Sequence, residues 1–137
     1  MKTPAGEPVT LFTAKEAPWA KPVPFAMEAF GLDEMYFSDG PSLLKLEDGL
    51  LYMIFSSWSV NGYAVGVALS EFGCVNGPWA LQTEPLYPQS RGPGMFFRDT
   101  EGRLLLTLHH PNDPLQEHPH FWKIHFENRK LALSDRI

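Results

Sequence analysis

The chain has very little cysteine. Cys74 is the only one in 137 residues. No disulfide can form within the chain, and nothing in it points to an oxidising compartment. Cys74 follows Gly73 and has no basic neighbour, which leaves it without the surroundings a nucleophilic thiolate needs. Positive charge is also scarce. Eleven lysines and arginines stand against sixteen aspartates and glutamates, a formal net charge of −5. An acidic surface disfavours nucleic acid and anionic membranes as partners. No apolar run reaches the length of a membrane span. Residues 1–8 lack the apolar core of a signal peptide, so a cytoplasmic location is the expectation. Helical periodicity is missing too, since apolar spacing at three and four is nowhere sustained over three turns.

What the chain does have is turn formers, with thirteen prolines and eleven glycines. They punctuate strand-length apolar runs, the mark of an all-β protein. The stretch Asp39-Gly40-Pro41 leads into Ser42 to Leu46, then Asp48-Gly49, then Leu50 to Phe55. Asp-Gly between two such runs predicts a hairpin whose central residues both tolerate positive φ. The pattern recurs in Gly92-Pro93-Gly94-Met95-Phe96-Phe97-Arg98, a turn through Gly102, and Arg103 to His109. Gly92 follows Gly40 by 52 positions and Gly102 follows Gly49 by 53, which puts one extra residue in the second turn. Repeats near this length suit four-stranded propeller blades, each burying its faces on its neighbours.

On this reading residues 39–88 form one complete blade. Its strands are expected near Ser42 to Leu46, Leu50 to Ser56, Tyr63 to Ser70 and Trp79 to Gln82, with Asn61-Gly62 turning the second into the third. Residues 89–137 form a second blade and a tail, with strands near Met95 to Arg98, Arg103 to His109, Phe121 to Glu127 and Lys130 to Leu133. Residues 1–38 are read as the outer strand of a preceding blade, around Val9 to Thr13, and the connection that follows. No helix is expected.

Several short stretches resemble glycoside hydrolase family 43, five-bladed propeller enzymes that release arabinose or xylose. They are Gly6-Glu7-Pro8-Val9 with Ala17-Pro18-Trp19, Ser38-Asp39-Gly40-Pro41, Gly62 to Ala68, Gly77-Pro78-Trp79, Gly94 to Arg98 with Gly102-Arg103-Leu104, and Leu108 to Asn112. The resemblance implies a partial five-bladed propeller: about two antiparallel blades and the tail of a third, from the C-terminal part of a longer, N-terminally truncated enzyme. It implies inverting hydrolysis of O-glycosyl bonds in arabinose- or xylose-containing plant-type glycans. Acid and base then flank the sugar roughly 6.5–9.5 Å apart to admit a water. Asp39 takes the place of the family's general acid, usually a glutamate before Gly-Pro or Gly-Ser. No position matches the base or the tuning aspartate, so the isolated chain is expected to be inactive. Pro93 replaces a histidine that often helps hold an axial metal, and no metal or other cofactor is expected.

Other residues have two readings each. Asp39 also suits the plain role of capping the turn at Gly40-Pro41. Trp58 is a candidate sugar platform, with Trp19, Trp79 and Trp122 as competitors, although packing between blades is the usual fate of such rings. Arg91 holds in the second repeat the place of Asp39 in the first, and could line the same funnel or lie on the surface. His109 falls where the family has its matching histidine and is a further substrate-binding candidate. His118-x-His120 and His109-His110 have a spacing that zinc sites use, but no third ligand is evident, so a polar strand end is the simpler reading. The alternative to a glycosidase is a non-catalytic carbohydrate-binding module, or one that self-associates through open blade faces. An unstable piece with no function of its own is a third.

Overall fold

The computed structural model describes residues 6–89 and 92–137. They form two four-stranded antiparallel sheets. The first contains β1 (Asp39–Lys45), β2 (Leu51–Ser59), β3 (Gly62–Ser70) and β4 (Ala80–Leu81), in that order. The second contains β5 (Gly94–Arg98), β6 (Leu104–His110), β7 (His118–Glu127) and β8 (Lys130–Arg136), again in sequence order. Each is a propeller blade, and the two lie face to face.

The sequences of the strands say which are covered on both sides. β2 reads LYMIFSSWS, an almost unbroken apolar run, and all but one of its residues are buried. β3 is buried along nearly its whole length. β7 alternates strictly through its last seven residues, so only one of its faces is covered there.

The main core lies between the sheets. Tyr52, Ile54, Val65 and Val67 of the first sheet meet Leu106, Leu108 and Leu131 of the second. Each such side chain stabilises the fold by about 1.5–3 kcal/mol when fully buried. Polar straps hold the wedge. At the inner edge the Phe96 N–H donates to Ser42 Oγ (3.2 Å). At the outer edge the Leu131 N–H donates to Gln82 Oε1 (2.9 Å). The Tyr52 hydroxyl donates to the Arg129 carbonyl (3.2 Å), and Arg129 pairs with Glu71 (2.8 Å).

The other face of the first sheet is covered by residues 11–20. Trp19, Ala17 and Ala20 pack there on Met53, Phe55, Ala64 and Ala68. The Trp19 indole lies over Gly66, where a Cβ would collide with it. This corrects the reading of the N-terminal segment. Val9 to Thr13 form no strand, and among residues 6–38 there is only a single bridge, Ala20 to Ser59. Pro18, Pro22 and Pro24 bar a ladder, and the segment spreads as a cover instead. It also holds a 3₁₀ turn (Ala14–Glu16) and a five-residue helix, α1 (Ala26–Phe30), that the sequence reading did not expect. No helix among the described residues is long and apolar enough to cross a membrane.

The hairpin turns also differ from expectation. At Asp48-Gly49 only the glycine has positive φ (93°). The Leu46 N–H donates to Leu50 and the Gly49 N–H to Leu46, a three-residue loop closed by a left-handed glycine. The β5–β6 loop repeats it through Asp99, Gly102 and Arg103. The extra residue of the second repeat therefore lies between Pro93 and Asp99, not in the turn. The turn with both central residues at positive φ is Asn128-Arg129 (48° and 61°).

Candidate active site

The strand register places several candidates at one end of the two sheets. Asp39 opens β1 opposite Ser56, Trp58 lies near the end of β2 opposite Tyr63, and His109 lies near the end of β6 opposite Pro119. The three-residue loops of both hairpins are at the other end.

Asp39 is held from behind. Its backbone sits where the β1–β2 register shifts, between Asp39 and Ser42. The buried Ser57 hydroxyl donates to the Phe37 carbonyl (2.7 Å), fixing the chain two residues before the carboxylate. Asp39 itself is exposed. Its Oδ2 accepts a hydrogen bond from the Tyr63 hydroxyl (2.9 Å). Tyr63 is buried, and burial first, then this hydrogen bond and the negative charge of Asp39, push its phenol well above the ordinary value. The phenol therefore stays neutral and donating. A carboxylate with one oxygen anchored and the other open can exchange a proton with a group arriving from solvent.

Gly40 then touches the second blade. A Cβ there would collide with Pro93, and the φ of +54° also favours glycine. Next to Pro93, Gly92 is buried under the His109 ring, which a Cβ would penetrate. His109 Nε2 donates to Asn112 Oδ1 (2.9 Å). Two glycines thus let the inner strands close up beside Asp39. An open groove of about 380 Å³ runs along them, lined by Gly40, Pro41, Ser42, Pro93, Gly94 and Thr107 among others. That is within the size range of small-molecule sites.

Trp58 is half-buried, edge-on to Phe25 (5.7 Å) and tilted against Tyr63 (6.0 Å). Trp19 is spent on the cover, Trp79 packs near Phe12 (6.1 Å), and Trp122 packs on Tyr87 (5.8 Å). Arg91 lies outside the described residues. The His110 and His120 rings lie tilted against each other, 5.5 Å apart.

The paired blades with adjoining inner strands match known structures. An endo-arabinase from Bacteroides thetaiotaomicron is 37% identical over 94% of this chain and 44% of its own, with a TM-score of 0.84. A thermostable family-43 glycoside hydrolase superposes at a TM-score of 0.61, with 21% identity over 75% of this chain and 37% of its own. This is the fold of the family 43 glycoside hydrolases. An endo-1,4-beta-xylanase, also from Bacteroides thetaiotaomicron, gives 0.57 at 23% identity, over 72% of this chain and 38% of its own. The chain spans less than half the length of each of these relatives. No family model matches it, and no curated protein does.

The axial metal that family 43 implies does not fit these residues. Pro93 has no donor atom to offer and is packed on Gly40, while the His109 Nε2 is taken by Asn112. Among the described residues no three His, Cys, Asp or Glu side chains converge.

Sequence reasoning missed Tyr63 as part of the site. The sequence marked it only as the first residue of an expected strand. The available signal was its place one residue after the Asn61-Gly62 turn, at the same sheet end as Asp39.

Proposed function

We propose that the chain is the acid-bearing portion of a family 43 glycoside hydrolase that cleaves arabinosyl or xylosyl linkages with inversion. The observation that carries this reading is the exposed Asp39 carboxylate, anchored through one oxygen by Tyr63 and next in the chain to Gly40, which lines the inner-strand groove. Asp39 would protonate the leaving glycosidic oxygen while a base elsewhere takes a proton from the attacking water. Trp58, Arg91 and His109 are the residues we assign to the sugar. The names of the relatives, an endo-arabinase and an endo-1,4-beta-xylanase, support a pentose-containing glycan as substrate. No position of this chain matches the base or the tuning aspartate, and acid without base leaves the water unactivated. The isolated chain should therefore show no turnover of aryl arabinofuranoside or xyloside. Turnover lost in Asp39→Asn would contradict that inactivity and uphold the acid role. Turnover unchanged in Asp39→Asn would end the assignment.

A specific feature favours a second reading, self-association. The face of the second sheet turned away from the first carries Met95 (56% exposed) and Phe121 (38% exposed), with Phe97 edge-on to Phe121 (5.7 Å). The corresponding outer face of the first sheet is already covered.

A further inference from the structure

We infer that Tyr63 is the positioning residue of the site: its hydroxyl fixes Asp39 Oδ2, so that Oδ1 alone is presented to the glycosidic oxygen of a pentosyl substrate. This deepens the proposed acid role of Asp39 and rests on it.

The argument starts from what Asp39 lacks. An exposed aspartate at a register shift has no packing to select its rotamer, and staggered wells of similar energy would share the population. A general acid needs a defined approach to the oxygen it protonates. Among the described residues the hydrogen bond from Tyr63 is the one contact that supplies it.

Tyr63 suits that task. Only 9% of it is exposed. Its strand is registered residue by residue against β2, and its ring is lodged beside Trp58, which Phe25 braces in turn. The hydroxyl is therefore a fixed point. A buried phenol also needs a partner for its hydrogen, and Asp39 is that partner. The need is mutual: the phenol requires an acceptor and the carboxylate requires an anchor. Bonding one oxygen sets the plane of the short aspartate side chain. Among the described residues Oδ1 makes no hydrogen bond, and it is the atom left to meet the sugar.

The test is Tyr63→Phe, which removes one oxygen and keeps the ring. Two readouts separate the clamp from the acid role. The first is the set of Asp39 Hα–Hβ couplings by NMR, with Ser57–Ala64 cross-strand contacts confirming that the sheet is intact. One Asp39 rotamer should dominate in the parent chain, and the variant should average among rotamers. Unchanged couplings in an intact sheet would overturn the proposal. The second is calorimetric binding of a cationic arabinose-configured iminosugar. Tyr63→Phe should weaken it about tenfold, the worth of one hydrogen bond to a charged group, and Asp39→Asn by at least as much. Tighter or equal binding in Tyr63→Phe would overturn the positioning role. If the parent chain does not bind the iminosugar, the acid reading fails, and the couplings alone then decide whether Tyr63 holds Asp39.

Discussion

At the scale of single residues, the site is shaped as much by missing atoms as by functional groups. Gly92 makes the point. It is buried, and an added methyl would enter the His109 ring. Gly92→Ala must push that ring aside and break its bond to Asn112, at a cost of about 1–3 kcal/mol. Gly6→Ala, with nothing within 4 Å, should stay within about 0.5 kcal/mol of the parent. Urea denaturation of the two variants measures the difference, and equal midpoints would contradict the close packing described. That Asp39 stands at the head of a strand was legible in the sequence, because Gly40-Pro41 flags a turn there. Its hydrogen bond from Tyr63 was not. Period-two alternation says that a residue faces a neighbour, but not which hydroxyl lies above which carboxylate across two strands.

At the scale of elements, the β5–β6 loop is tied by charge where the β1–β2 loop is not. Asp99 accepts from the Glu101 and Arg103 N–H groups and pairs with the Arg103 side chain (2.7 Å). The Arg103 side-chain hydrogen bond is the largest cause holding the Asp99 carboxyl below its ordinary value of 3.8. A carboxyl depressed in the folded state adds stability above its unfolded value, and that stability is lost as the pH falls through the folded value. Asp99→Ala should therefore lower Tm at pH 7. The gap between variant and parent should close as the pH drops below 3.8. A gap unchanged at acid pH would refute the charge tie. The first hairpin of each sheet was readable because its strands are short apolar runs joined by a turn that ends in glycine, Gly49 or Gly102. Residues 6–38 were not, because prolines state only which conformations are barred. They do not say that Trp19 will be laid over Gly66 in the first sheet, a contact made by residues 47 positions apart.

At the scale of the whole molecule, the two sheets differ in what they leave uncovered. One outer face is sealed by the N-terminal cover, and the other presents Met95, Phe97 and Phe121. Copies meeting through a single open face would do so about a two-fold axis, which closes on itself. Light scattering should then show a mass that rises with concentration to that of a dimer. Met95→Glu with Phe121→Glu should hold the chain monomeric. A parent chain that is monomeric at every concentration would count against self-association. The paired blades were legible as a repeat, since the sheets share a turn and a Gly-Pro entry. The sealed face was not, because the segment that seals it, read in part as a strand at Val9 to Thr13, forms none.

The close approach of Gly40 to Pro93 has one more consequence. It lies where the first strands of the two sheets meet, one residue along the chain from Asp39. On the acid role proposed for Asp39, parting β1 from β5 at this contact would carry the carboxylate away with β1, so the cleft could not widen there for a bulkier sugar and keep its acid in place. Tolerance for larger glycans would have to come from the connecting loops, and rearranging those leaves this contact untouched.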